Sequence, residues 1–400
     1  MQPPSPPYHA PFNDLAGSDV HEGQVDFVLK VEQVRGLLVK LNADAGVLSL
    51  AHNFAWITGG GRNHIFQATE GGVGSIYIDA TRVVLITNNI EGHRLKLEEL
   101  SGLDLEVFEE PWHMCQSVQA VATSIANGSS VQFDTDGSFD NALAPLRQAL
   151  TPLDIRRFRQ LGHDCTVHTH VRPGLTEWAI GAAISQACVA RGIDMVFLLK
   201  AADDRVDAIR HPLPTTNVLH HKAMLVLCDT RIPDDLRKRH DAVTFVDAAA
   251  LAATAAPLAI SGYVFRAIQA AYTSTGFANE YTLHHQGGGT GYKSREWKAT
   301  PTSEVGAARV FPVEIGQVCT GLVCVSRMAS LQTKRFYWNP SIAGTKSEDT
   351  VLLVEGGGRI EVLTADGDWP QVRHTMGEIT YSRPDILHIQ VDAAGNPLPK

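Results

Sequence analysis

Apolar residues at Val31, Val34, Leu37, Leu38 and Leu41 follow the 3.6-residue period and predict a helix, with Gly46 soon after it as a stop. The apolar run VLSLAH then leads into NFAWITGGG, where the glycines end it. SIYIDA and RVVLIT read as two strands joined at Asp79-Ala80-Thr81, followed by a charged helix from Glu91 to Leu100 and the strand LEVFEE. Helix and strand alternate, which predicts an α/β domain ending near residue 150.

Thr151-Pro152-Leu153-Asp154 opens a long helix running to about Val171, since threonine is a favoured N-cap and proline suits the first helical position. Pro173-Gly174 breaks it, and Thr176-Glu177 starts another helix that continues to Arg191. MVFLL, AMLVLC and VTFVDA read as strands, and about Pro257 to Ser274 as a helix before a glycine-rich loop. ARVFPVEI, TGLVCVSR, TVLLVE and RIEVLT add strands, and VLLVE-GGG-RIEVLT is a hairpin. Paired helices followed by a mostly antiparallel sheet make the second half α+β.

With 400 residues, 44% hydrophobic and 19% charged, the chain has apolar surface for two domains and excludes bulk disorder. A net charge of −9 argues against nucleic acid as a partner, and no apolar run approaches the length of a membrane span. MQPPSPPYHAPFNDL has neither the basic start nor the apolar stretch of a signal peptide. Residues 1–27 read as a disordered Pro-rich arm, 28–150 as the first domain and 151–400 as the second. The six cysteines are scattered without CxxC, which suits reduced thiols in a cytoplasmic protein.

Three features suggest chemistry. The tract HHQGGGTGYKSREW invites a phosphate-cradle reading, but no Walker-spaced Lys-Ser/Thr or βαβ context supports it. The alternative is close approach of its backbone to a sheet or a ligand. In Arg210-His211-Pro212-Leu213-Pro214, two prolines stiffen the chain beside a histidine, whose near-neutral pKa suits a general base. Asp229, His240, Asp241, His284, His285 and Glu348 are metal-capable, but no HExxH or His-x-His pins them together. The run DDLRKRH reads as a solvated charged turn, His240 excepted.

Together these motifs resemble the creatinase, prolidase and aminopeptidase P family. The resemblance spans roughly residues 28 to 385 and implies a creatinase-like N-terminal domain followed by a pita-bread catalytic domain. It is carried by Asn53-Phe54-Ala55-Trp56-Ile57-Thr58-Gly59-Gly60, VRPGLTEWAIGAAI, RHPLP, the segment from His284 to Glu296, and Lys346-Ser347-Glu348-Asp349-Thr350. The family's peptidases hold two metal ions with two aspartates, a histidine and two glutamates. Here Asp229 aligns with the first aspartate, but His240, Gly288 and Asn339 stand at the next three ligand positions, and only Glu348 is kept. A family substrate-binding histidine is replaced by Arg295. Two divalent ions need more carboxylates than remain.

The resemblance therefore implies a creatinase-type hydrolase cleaving a C–N bond, amidino or amide, of a small polar nitrogen compound without metal. His211 would be the general base and Glu348 would pair with a cationic or N–H-rich group. Arg295 would meet a carboxylate, His284 and Asn339 the developing oxygen, and Trp338 with Trp297 would form apolar walls. No cofactor is expected; a single divalent ion on Asp229, His240 and Glu348 is the variant. A metal-dependent Xaa-Pro aminopeptidase and a non-catalytic descendant binding a peptide or protein are the alternatives. Family members are homodimers, which implies a second copy as partner, with Trp56 and Arg62 at the interface or Trp56 in the core.

Overall fold

A computed structural model of the chain describes residues 17–66, 69–164, 173–189, 200–209, 212–221, 223–225, 227–228, 234–256, 259–293, 296–304, 334–342, 345–354, 359–365 and 369–385. It forms two compact units. The first takes in the chain to Phe158 with Cys188–Val196 and Gly291–Glu296; the second takes in Arg159–Ala187, Phe197–Thr290 and the chain from Trp297 on.

In the first unit α1 spans Gly17–Lys40, so residues 17–27 of the expected arm are helical. The early turns carried no strong apolar period, and tertiary contacts extend the helix. Phe27 is buried, and Lys30 reaches Asp26 at 2.7 Å and Asp154 at 2.8 Å. The helix stops at Asn42, whose φ of 53° is a left-handed conformation that asparagine tolerates. Gly46, expected as the stop, instead lies in β1 (Ala45–Leu50), where a Cβ would come within 2.8 Å of the Phe139 ring. Residues 51–57 form α2 (Ala51–Ile57).

β2 (Gly71–Asp79) and β3 (Val83–Asn88) form the expected antiparallel pair. The short helix α3 (Gly92–Arg94) and a wide turn at Leu95–Glu99 follow, then β4 (Glu106–Glu110), α4 (Val118–Ile125), β5 (Val131–Phe133) and α5 (Gly137–Gln148). The sheet order β4-β3-β2-β1-β5 is mixed, with β3–β4 and β1–β5 parallel. Period-two alternation puts Ile76 and Ile78 on one face with α1, α2 and α5, and Tyr77 on the other with Val121 and Ala122 of α4. Helices thus cover both faces, as the consecutive buried residues of β2 and β3 require. Trp56 is wholly buried in this core, and Arg62 pairs with Glu99 at 3.3 Å.

The helix α6 (Pro152–Asp164) opens with a reciprocal cap: Asp154 N–H donates to Thr151 Oγ1 at 3.2 Å, and Thr151 N–H to Asp154 Oδ2 at 3.1 Å. After Gly174, with φ 88°, α7 (Glu177–Val189) begins where the sequence places it. β6 (Lys200–Ala202), α8 (Asp204–Ala208), β7 (Ala223–Leu225) and β8 (Leu227–Cys228) follow, the strands forming a small antiparallel sheet.

VTFVDA, expected as a strand, lies inside α9 (Asp234–Ala255), and so does DDLRKRH, expected as a turn. Val243, Val246, Ala250 and Leu251 are all buried at helical spacing, in an alanine-rich stretch that favours helix. A short apolar run cannot by itself distinguish a buried helix from a strand. Beyond α10 (Ser261–Ser274) come β9 (Gly287–Gly289), β10 (Trp297–Lys298), β11 (Lys334–Trp338), β12 (Ser341–Ile342), β13 (Thr345–Lys346), β14 (Asp349–Val354) and β15 (Arg359–Val362). The main sheet, ordered β10-β9-β11-β14-β15, is antiparallel throughout and includes the expected β14–β15 pairing. Helices α9 and α10 pack on it through Val243, Val264, Ile268, Trp338 and Val351. A hairpin of β16 (Gln371–Met376) and β17 (Ile379–Pro384), which the sequence did not suggest, ends the described chain. ARVFPVEI, TGLVCVSR and MVFLL lie outside the described residues.

Candidate functional site

Part of the glycine tract is an inner strand, not a loop. β9 pairs with β10 on one side and β11 on the other, and the approach leaves no room for side chains. A Cβ on Gly288 would lie 2.0 Å from the Trp297 carbonyl oxygen, and one on Gly289 would lie 2.4 Å from Trp297 Nε1. Close backbone packing explains these glycines, and the strand leads into a turn rather than a helix N-terminus that could cradle phosphate.

The register then gathers the candidate residues. Trp338 pairs with Gly287 on one side and Asp349 on the other, which carries Gln286, Asn339 and Glu348 to the same end of three adjacent strands. Asn339 N–H donates to the Gln286 carbonyl at 3.3 Å. Asn339 is buried, and its Oδ1 has no hydrogen-bond partner among the described residues. A buried, unmatched amide oxygen is costly unless something pairs with it. Glu348 is half-buried just before β14.

His284 stacks on His285 with ring centroids 4.4 Å apart, and its Nδ1 lies 2.7 Å from the His285 carbonyl. A carbonyl only accepts, so neutral His284 carries its proton on Nδ1. Gln286 and Tyr272 brace this end: Gln286 Nε2 donates to the His284 carbonyl at 2.7 Å, and Tyr272 Oη donates to Gln286 Oε1 at 3.1 Å. Tyr272 Oη also accepts from Ser341 N–H at 2.7 Å. Neither was singled out in the sequence, where a Gln between histidine and glycine and a Tyr inside a helix carry no chemical signature. Trp338 is sealed into the α9–α10 core with Nε1 donating to Thr254 Oγ1 at 2.9 Å, so it is a packing wall.

On the α9 side the polar residues are already engaged with one another. His240 is buried, with Nε2 donating to the Pro384 carbonyl at 3.1 Å and Nδ1 accepting from Thr345 Oγ1 at 3.0 Å. Burial holds its pKa below the ordinary histidine value, so the neutral form with both nitrogens engaged is favoured. Arg383 Nη2 lies 2.6 Å from both Asp247 and Asp349, with Ser347 Oγ donating to Asp247 at 2.5 Å. Burial pushes the Asp247 carboxyl up against the pull of Arg383. Of the Lys346–Thr350 motif, Ser347 and Asp349 thus enter this buried cluster.

The described residues do not fit the metal centre that the fold implies. His240 spends both ring nitrogens on protein groups, Asn339 offers an amide in place of a carboxylate, and the nearby Asp247 and Asp349 carboxylates are both paired with the Arg383 guanidinium. Among the described residues no group of three or more His, Cys, Asp or Glu side chains is placed so that it could hold a metal ion. Asp229, His211 and Arg295 lie outside the described residues. Among the described residues no helix is long and apolar enough to cross a membrane.

No protein-family model and no curated protein sequence matches the chain. Solved structures do. The Xaa-Pro dipeptidase from Bacillus anthracis is similar with a TM-score of 0.60 and 14% identity over 85% of this chain and 98% of that one. The prolidase from Pyrococcus horikoshii OT3 gives 0.59 and 13% over 84% and 98%. The N-terminal domain of the FACT complex subunit SPT16 from Cicer arietinum gives 0.55 and 9% over 87% and 97%. At these identities the likeness shows the fold, which is the α+β pita-bread fold that the motifs resemble.

Proposed function

We propose that this chain, on a fold shared with Xaa-Pro dipeptidases and prolidases, is a hydrolase cleaving a C–N bond of a small polar nitrogen compound, with no metal in the step. The observation that carries the reading is Asn339 Oδ1, a buried acceptor with no partner among the described residues, at the strand ends beside Glu348. An N–H-rich group matches that pair: a guanidinium or amide N–H meets Oδ1, and a guanidinium or ammonium charge meets the Glu348 carboxylate.

In the reaction His211 takes a proton from water, the water oxygen bonds to the carbon, and the C–N bond breaks as the proton passes to the leaving nitrogen. The Asn339 amide N–H would stabilise the developing oxygen. His284 spends its own N–H on the His285 carbonyl and so orients this end rather than donating to the substrate. Arg295 is assigned to a substrate carboxylate, and a second copy of the chain is the proposed partner.

The test is turnover of guanidino, amide and X-Pro compounds by the wild type and His211→Ala. A loss of about 100-fold or more in the variant is expected. Unchanged turnover would overturn the assignment, and chelator-sensitive X-Pro cleavage would replace it with a metallopeptidase. A second reading is favoured by the likeness to a subunit of the FACT complex: the chain binds a peptide or protein without chemistry. Peptide binding with no turnover of any compound class would establish it.

A further inference from the structure

Asn339 is placed by its backbone, not by its side chain. Among the described residues no side-chain hydrogen bond holds its amide, and the buried Oδ1 is left without a partner. Pro340 fixes its own φ and confines Asn339 to extended backbone. Trp338, one residue earlier, sits in the ladder between Gly287 and Asp349, with its indole N–H on Thr254. One residue later, the Pro340 carbonyl accepts Ser347 N–H at 3.2 Å.

Two side chains outside the ladder close this frame. Gln286 is fully buried, and its amide nitrogen donates to two carbonyls, His284 O at 2.7 Å and Tyr281 O at 3.3 Å. Carbonyls only accept, so Nε2 must face them and Oε1 must face Tyr272 Oη, 3.1 Å away. The Ser341 carbonyl lies 3.2 Å from the same hydroxyl, but Oε1 has no other donor among the described residues, which assigns it the Tyr272 proton. A lone pair on Tyr272 Oη then accepts Ser341 N–H at 2.7 Å. The polarity of the whole run is thereby fixed, from Ser341 N–H through Tyr272 and Gln286 to the carbonyls of Tyr281 and His284.

Core packing needs none of these polar groups. Tyr272 is wholly buried on α10, in the cluster with Val264 and Ile268, and a phenylalanine would fill the same ring space. A buried hydroxyl and a buried carboxamide cost free energy unless both are matched. Here the matches fall on either side of the Asn339 side chain. Tyr272 holds Ser341 N–H, and the Gln286 carbonyl takes Asn339 N–H at 3.3 Å. We infer that Tyr272 and Gln286 are positioning residues that set the Asn339 amide for a bound N–H group, and so select guanidinium and amide ligands over cations without an N–H. This rests on the reading of Asn339 Oδ1 as the acceptor for the ligand.

The experiment is calorimetric titration of the full chain with methylguanidinium and with tetramethylammonium, which carries the charge but no N–H. Tyr272→Phe is expected to weaken methylguanidinium binding at least about fivefold, the worth of one hydrogen bond, and to leave tetramethylammonium within about twofold of wild type. Gln286→Met is expected to do the same, and carries the test if Tyr272→Phe does not fold. In an Asn339→Ala background neither change should weaken methylguanidinium further, since the group they set is gone. That comparison decides where tetramethylammonium binds too weakly to titrate. Methylguanidinium affinity in both variants within about twofold of wild type would overturn the inference. So would an equal loss for both cations, or the same loss with Asn339 already removed, since either means general loosening. Methylguanidinium binding that Asn339→Ala leaves intact, or its absence in the wild type, would instead overturn the reading of Asn339 itself and the inference with it.

Discussion

Arg147 and Glu296, 149 positions apart, form a two-pronged ion pair with both side chains withdrawn from water, Nε to Oε1 at 3.1 Å and Nη2 to Oε2 at 2.8 Å. Arg147 Nη1 also donates to Asn53 Oδ1 at 2.6 Å and Asp140 Oδ1 at 3.0 Å, and Lys293 meets the other Asp140 oxygen at 2.8 Å. Tyr292 Oη donates to Asp154 at 2.7 Å. The stretch after the glycine strand is thus tied, side chain by side chain, to the NFAWITGG helix and to α5 and α6.

Breaking that pair leaves a buried charge unmatched. Arg147→Ala and Glu296→Gln should each cost about 3–5 kcal/mol in urea unfolding, well above an ordinary surface change. A loss below about 1 kcal/mol in both would mean that the pair is solvated.

Arg383 lies between Asp247 and Asp349, and all three are buried. Arg383→Met should therefore destabilise by about 3–5 kcal/mol, and Asp247→Asn combined with Asp349→Asn should recover part of that loss in the Met background. Strict additivity of the three changes would show that they do not act as one cluster.

Gly288→Ala should disrupt the β9–β10 pairing, because the clash is with a backbone carbonyl that cannot swing away. A loss of at least about 3 kcal/mol is expected. Gly71→Ala, with nothing within 4 Å, should change stability by less than about 1 kcal/mol in the same melts.

Asp79 supplies a pH test. Against the push of burial, the Thr81 and Arg82 N–H groups, the Arg82 guanidinium and Tyr77 hold its carboxyl down to about 2, from 3.8. A depressed carboxyl stabilises the fold above its unfolded pKa, and that contribution drains away as pH falls through the folded value. Asp79→Asn should therefore lose about 2 kcal/mol at pH 7. The gap from wild type should narrow between about pH 4 and 2, and a gap that ignores pH would sink the explanation.

What could be read in the chain was what neighbours along it decide. The Thr151-Pro152 helix start, the turn at Asp79, the β14–β15 hairpin and the glycine break before α7 rest on contacts a few residues apart. Where two local readings competed, the sequence could not choose. The run at 243–248 is apolar enough for a strand, and packing against α10 and the sheet, added to the alanine-rich stretch around it, makes it helix. The sequence named Asn339 and Glu348, and strand register carries these two to the same end of adjacent strands.

The amino-acid sequence by itself determined the motif order, the helix caps and turns, and which side chains stand at positions 240, 288 and 339. Tertiary structure alone decided that His240 is satisfied by Thr345 and Pro384, that Gly288 packs under a carbonyl, and that Arg383 pairs with both Asp247 and Asp349. The reason is physical. A cap or turn is closed by atoms within one turn of chain, whereas a buried charge or imidazole takes its partner from whichever strand the register delivers.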